Sequence, residues 1–304
     1  MSILLDKNTR AIIQGITGKQ AQAHVPYHLE YGTNLIGGVT PGKAGASVHG
    51  LPVFDTIGQA REELGEIEAS MIFTPPYTVL DGALEAIENG IKLLVIITEH
   101  IPVRDTMAVR EAAKAAGCCV IGPNTIGIIS PGKSKLGVMP GFLYSQGSIG
   151  IISRSGTLTH ESSSCLTVRG LGQTTCVGIG GDPVPGSPFE DILERFRYDD
   201  DTRAILMIGE IGGVAEERAA EYLKSVKFEK PVVSFIAGAT SPPGKQMGHA
   251  GAIISGNAGT AESKQEALRQ AGAHVVASLE EGYEVLEAIL REQGIVPVPM
   301  NAQG

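Results

Sequence analysis

Tryptophan is absent from this 304-residue chain, and Phe, Tyr and Trp together make up only 5% of it. Glycine, by contrast, reaches 40 residues. An aromatic-poor, glycine-rich chain suggests many strand-to-helix turns at which backbone comes close to a ligand. Cysteine is scarce too. Cys118, Cys119, Cys165 and Cys176 show no CxxC spacing, so a disulfide framework or a metal site is not expected. They read as buried reduced thiols of a cytoplasmic protein. No hydrophobic run approaches the length of a transmembrane helix. The opening MSILLDKNTR mixes charges and enters a strand almost at once, unlike a signal or transit peptide. Positive charge is in deficit: 24 Lys and Arg face 33 Asp and Glu, for a net charge of −9. Nucleic acid is therefore not the expected partner. A local basic site for a phosphate-bearing ligand remains compatible with that balance.

What is present alternates. Short β-branched runs at Arg10–Gln14, Asn34–Val39, Ala69–Thr74, Lys92–Thr98 and Cys118–Ile121 are separated by helical patterns such as Leu80–Ile87 and Val103–Ala116. A repeating βα unit with right-handed crossovers predicts a doubly wound parallel sheet. The Pro-, Gly- and Ser-rich stretch 130–147 breaks the rhythm and reads as a linker. A second series follows at Ser148–Ser153, Thr174–Gly180, Arg203–Gly209, Pro231–Ala237 and His274–Ala277, with helices at Phe189–Phe196, Ala215–Val226 and Ala261–Ala271. The expected architecture is α/β: two tandem doubly wound parallel-sheet domains, residues 1–129 and 148–304, joined by 130–147.

Several motifs fall at the carboxyl ends of predicted strands, where open α/β sheets bind ligands. Gly15-Ile16-Thr17-Gly18-Lys19-Gln20 follows the first strand and opens the first helix. Glycines there let backbone N–H groups close on a phosphate. With Ala21 in place of a third glycine, the dinucleotide fingerprint is incomplete. After the second strand, Lys43 stands near where a nicotinamide dinucleotide site usually places an acidic residue. A lysine suits an additional phosphate, such as the ribose 3′-phosphate of coenzyme A. Ile97-Thr98-Glu99 ends another strand and is placed to line the same crevice.

In the second half, Ser153-Arg154-Ser155-Gly156-Thr157 lies between strand and helix, an anion seat of small residues at a helix start. It departs from the nucleophile elbow GxSxG at both glycines, so a serine hydrolase is not the reading. Glu210 closes an apolar strand and projects toward the same edge, where a carboxylate can orient an imidazole. His249 lies among small residues in Gly244-Lys245-Gln246-Met247-Gly248-His249-Ala250-Gly251-Ala252. Neutral imidazole is a good phosphoryl acceptor, and such a loop admits a bulky group. The string 127–134 spells a P-loop but lacks the following helix, so it is not read as one.

Taken together, QGITG, GGVTPGK, GLPVFDT, ITE, IGPN, SRSGTLT, CVGIGGDPVPGS, MIGEIGG and GKQMGHAGAII resemble the α subunit of succinyl-CoA synthetase, or succinate–CoA ligase, nearly end to end. The resemblance implies a Rossmann-like CoA-binding domain followed by a flavodoxin-like ligase domain. CoA contacts are then expected at Thr17, Gly18, Lys19, Gln20, Lys43, Ile97, Thr98 and Glu99. His249 becomes the phosphorylated histidine and Glu210 the residue holding its ring. Ser155, Gly156, Thr157 and His160 would bind phosphate and acid substrate, with no metal on this chain. It also implies a β subunit with an ATP-grasp fold that binds ATP or GTP with Mg²⁺, in a heterodimer or heterotetramer. The expected reaction forms succinyl-CoA, or the thioester of malate, citrate or another small carboxylic acid, through phosphohistidine and an acyl phosphate; the alternative of another class is a non-catalytic CoA-binding regulatory protein, which loss of His249 or Glu210 would have supported.

Two departures stand near the expected substrate site. His160 replaces a tyrosine of the family pattern; an imidazole, as a cation or as a hydrogen-bonding group, is expected to favour a more polar or bulkier acid, unless it simply replaces one hydrogen bond. Thr125-Ile126 replaces a Cys-Pro pair. The first helix is also unusual in carrying Pro26.

Overall fold

The structure is a computed structural model that describes residues 2–239, 248–249, 251 and 259–295. The remaining residues of the histidine motif and the last nine of the chain lie outside the described residues.

The first βα series builds as β1 (Ala11–Gln14), α1 (Lys19–Glu30), β2 (Leu35–Val39), β3 (Ser47–Val48), β4 (Leu51–Phe54), α2 (Ile57–Leu64), β5 (Ala69–Ile72), α3 (Val79–Glu88), β6 (Leu93–Ile96), α4 (Val103–Ala116) and β7 (Cys119–Ile121). Its seven strands lie in the order β3-β4-β2-β1-β5-β6-β7, parallel except for the β3–β4 hairpin. β1, β5, β6 and β7 are buried at every position, as strands covered on both faces must be. The apolar residues of α2, α3 and α4 cover one face. Ala21 and Val25 of α1 join the core on the other.

The second series runs β8 (Gly127–Ser130), β9 (Ser134–Gly137), β10 (Gln146–Ser153), α5 (Gly156–Val168), β11 (Gln173–Gly178), α6 (Phe189–Arg197), β12 (Ala204–Glu210), α7 (Ala215–Ser225), β13 (Val232–Ala237), α8 (Ala261–Gln270), β14 (His274–Val276) and α9 (Leu279–Glu292). The strand order is β14-β13-β12-β10-β11-β8-β9. α6, α7 and α8 pack on one face, and α9 with Leu166 of α5 on the other. One continuous apolar core passes from β1 and β5 through Ile128 and Leu136 to β10, β11 and β12, so both sheets share it.

The expected linker 130–147 needs correction. Residues 127–137 form an antiparallel hairpin, β8 paired with β9, that adds two strands to the edge of the second sheet. The turn letters Ser-Pro-Gly-Lys lie at its tip rather than in a crossing. Gly127 and Gly137, both at positive φ, face each other so closely that a side chain on either would meet carbonyl oxygen of the other strand. The P-loop lookalike is thus a hairpin with no helix after it. Leu51–Phe54, with Pro52 inside it, was not expected as a strand; it sits near the sheet edge, where proline is tolerated.

Candidate active site

β12 ends at its carboxyl edge with Glu210, 7% exposed. Glu210 Oε2 lies 2.7 Å from His249 Nδ1. An ionised carboxylate only accepts, so Nδ1 carries the proton and, in the neutral ring, Nε2 keeps its lone pair. The hydrogen bond to Glu210 raises the His249 pKa above its ordinary value, against the lowering effect of burial and of Arg154; the charges of Glu210 and Asp182 act upward with it. The imidazole rests on the backbone of Gly181, where any Cβ would collide with the ring.

Glu210 is itself held. Its Oε1 forms an ion pair with Arg154 Nη2 at 3.1 Å. Arg154 Nη1 is 3.4 Å from Glu216 Oε1, which also accepts the backbone N–H of Glu210 at 3.1 Å. Lys264 pairs with the other oxygen of Glu216, and its Nζ donates to Glu217 Oε2 at 3.1 Å and to Gly213 O at 3.0 Å. Arg154, Glu216 and Lys264 are all buried. Alternating charges of this kind pair each other where a lone one would be costly. Gly209 and Gly251 keep the space clear: a Cβ on Gly209 would stand 2.6 Å from Glu216 Cγ, and one on Gly251 2.7 Å from Arg154 Nη2.

His249 opens onto a cavity of about 350 Å³ between the two domains. Ile97 and Glu99 reach it from the end of β6, Asn124–Ile126 from the segment between the sheets, and Ser155, Gly156, Thr157 and His160 from the start of α5. Ser155 caps α5 by accepting from Leu158 N at 3.3 Å, and its own N–H donates to Ser153 Oγ at 3.0 Å. Gly156 and Thr157 belong to the first turn, whose N–H groups have no acceptor within the helix. This positive helix end faces the same cavity as His249, which suits a phosphoryl group. Ile126 crowds it, since a Cβ on Gly156 would meet Ile126 Cγ2 at 2.5 Å. Thr125 is fixed by hydrogen bonds to Gly178 O and from Gly127 N.

The other sequence-predicted contacts lie along the carboxyl edge of the first sheet and outside this cavity. Thr17 bonds to Thr40 Oγ1 through both its N–H, at 3.4 Å, and its hydroxyl, at 3.2 Å, tying the loops after β1 and β2 together. Gly18 is the N-cap of α1 and makes no side-chain cap, so the first turn through Lys19 and Gln20 leaves its N–H groups to another acceptor. Gly15 has φ +77° and lies against Phe73 and Thr74, where a Cβ would be 3.2–3.3 Å from both. Lys43 is exposed in the turn after β2, with its N–H donated to Asp55 Oδ1 at 2.9 Å. Thr98 Oγ1 donates to Thr74 O at 2.7 Å. β2, β1, β5 and β6 are adjacent in that order, so the edge from Lys43 to Ile97 spans about 15 Å, three strand spacings. Glycine backbone, a helix start without a side-chain cap and an exposed lysine along one edge fit an extended, phosphate-bearing molecule with its far end in the His249 cavity.

His160 is half-buried in the cavity wall, and burial pushes its pKa down. Of the two roles left open by the sequence, cationic or hydrogen-bonding, this favours the neutral, hydrogen-bonding one. Sequence reasoning also missed Arg154, Gly181, Glu216 and Lys264. Arg154 and Gly181 carried a signal, standing inside the recognised SRSGTLT and CVGIGGDPVPGS runs; Glu216 and Lys264 carried none.

Comparison with known proteins agrees with this geometry. A model of the CoA binding domain matches residues 6–100, and one of the CoA-ligase family matches 152–274. The chain is 56% identical over 274 residues to succinate–CoA ligase [ADP-forming] subunit alpha of Methanothermobacter thermautotrophicus, covering 90% of this chain and 92% of that one. It is 48% identical over 295 residues to the protein of that name from Staphylococcus aureus, covering 97% of each. ATP citrate lyase from Methanothrix soehngenii, solved with citrate and coenzyme A, superposes with a TM-score of 0.89 at 27% identity, over 97% of this chain and 52% of that chain. This chain thus spans about half of that lyase. A dinucleotide-forming acetyl-coenzyme A synthetase from Ca. Korarchaeum cryptofilum shares the fold, with a TM-score of 0.73 at 20% identity over 93% of this chain and 61% of that one. Both sheets and the segment between them fall within an alignment that leaves little of either sequence uncovered, and on that ground the chain belongs to the alpha subunits of the ADP-forming succinate–CoA ligases.

Proposed function

We propose that this chain is the phosphohistidine-bearing subunit of a nucleoside-diphosphate-forming acid–CoA ligase, with succinate the first candidate acid. The observation that carries the reading is the His249–Glu210 pair at 2.7 Å, opening onto a cavity lined by both domains. In this reading CoA lies along the first sheet's edge. Thr17, Gly18, Lys19, Gln20 and Lys43 hold its phosphates, and Ile97, Thr98 and Glu99 guide the thiol end toward the cavity. A β subunit of ATP-grasp fold supplies the phosphoryl group from ATP or GTP with Mg²⁺, in the cytoplasm, as an αβ pair or a dimer of such pairs.

Each step assigns a task to residues of this chain. Glu210 holds the Nδ1 proton, so Nε2 attacks the terminal phosphorus of the nucleotide and the diphosphate leaves. Ser155, Gly156 and Thr157 direct N–H groups and the helix dipole at the transferred group, where charge neutralisation matters more than acid–base chemistry. The acid's carboxylate oxygen then attacks phosphorus and frees His249. The CoA thiolate attacks the resulting acyl carbon and expels phosphate. Water exclusion follows from the cavity's position between the domains.

The test is co-purification with the β subunit, then incubation with nucleotide labelled on the terminal phosphate. The chain is expected to gain an acid-labile, base-stable label that His249→Asn abolishes. Adding CoA with succinate, malate or citrate should release the label and form the thioester of the preferred acid. Undiminished labelling of the His249→Asn chain would overturn the assignment.

A further inference from the structure

Tyr144 lies just before β10 and packs against α5, 6% exposed. Its Oη is 2.7 Å from His160 Nδ1, and the two rings meet edge to face with centroids 6.2 Å apart. Either atom can be the donor in such a pair, but the surroundings of Tyr144 choose. Burial pushes the Tyr144 phenol up, so it keeps its proton. Among the described residues the hydrogen bond of the buried phenol is to His160 Nδ1, so its O–H points there rather than being left buried without an acceptor. A ring that accepts at Nδ1 and stays neutral must carry its proton on Nε2. His160 Nε2 has no partner among the described residues, and the ring lines the cavity that holds His249.

We propose that Tyr144 is a positioning residue that holds His160 as the Nε2–H tautomer, so that the cavity presents a neutral N–H donor to the acid substrate. This rests on the cavity being the acid's site. The ligand class follows from the donor: a carboxylic acid bearing a second acceptor, carboxylate or hydroxyl, away from the carboxylate that is phosphorylated. A neutral donor binds such a group without the strong preference for extra negative charge that an imidazolium would impose.

The experiment uses the complex with its β subunit, with histidine nitrogens labelled. Nitrogen–proton correlation spectra are expected to show His160 with Nε2 protonated and Nδ1 bare. Tyr144→Phe should give a tautomer mixture and raise KM for the acid about fivefold to tenfold, the effect of weakening one neutral hydrogen bond, with kcat little changed. In a His160→Gln background the amide donor needs no tautomer, so adding Tyr144→Phe should leave KM where it was. A wild-type His160 protonated on Nδ1, or an unchanged KM in Tyr144→Phe, overturns the proposal. Phosphorylation of His249 from nucleotide alone involves neither residue, so its failure points instead to the ligase reading.

Discussion

At the scale of single residues, the chemistry depends on which nitrogen of His249 carries the proton. Nε2 accepts a phosphoryl group only from the neutral ring. Because Glu210 raises the His249 pKa, the acid limb of autophosphorylation should lie above the ordinary histidine value of about 6.5. Replacing Glu210 with Gln removes the charge and weakens the hydrogen bond, since the amide oxygen still accepts from Nδ1, so the limb should move to lower pH while the plateau rate falls. A limb that stays in place in that variant would show that Glu210 does not govern the ring. The same shift sets a stability term. A raised folded-state pKa contributes fully below the unfolded value and is lost as pH climbs through the folded one. The second single-residue test is Gly181→Ala. Its methyl occupies the seat of the imidazole, and a displacement of this size should cut phosphohistidine formation by about 100-fold. Near-wild-type labelling would mean that the ring functions elsewhere.

Legibility differed sharply between residues here. Small neighbours and a strand end mark His249 and Glu210 only modestly in the sequence, and it is the family resemblance that singles them out. Gly181 stands within the recognised CVGIGGDPVPGS run, but nothing local shows its role, which is to leave room for the imidazole of the distant His249. Lys264 reads as an ordinary helix lysine, yet it is fully buried. Burial of a charge is a tertiary fact with no local signature.

At the scale of elements, α7 and α8 hold the end of β12 through Glu216, Glu217 and Lys264. Lys264→Met leaves the Glu216 carboxylate, 0% exposed, with half its compensation. Loss of one partner from a buried pair costs about 3–5 kcal/mol, which thermal unfolding of the variant should show; a loss under about 1 kcal/mol would contradict the account. The βα rhythm made most strands and helices readable because period and turn residues are local. The β8–β9 hairpin was not readable. Its two strands are four residues each, rich in Gly and Ser, and owe their strand state to pairing, β8 with β11 and β9 with β8. Sequence placed a linker there for the same reason that proteins place turns there: Pro131 and Gly132 do make the turn.

At the scale of the whole molecule, two sheets built around one continuous core bring the carboxyl edge of the first against the start of α5 in the second. Neither domain alone contains the cavity. Ile97 and Glu99 come from one, and Ser155, Gly156, Thr157, His160 and His249 from the other. Tandem domains were legible from the repeated βα series, but their apposition was not, because it depends on side-chain packing across the hairpin. The most direct test of the central claim is phosphorus-31 NMR of the nucleotide-phosphorylated complex. The account predicts a single phosphohistidine resonance of the Nε2 type, absent in His249→Asn and discharged by acid plus CoA. A phosphoryl group on Nδ1, or on any residue other than His249, would contradict it.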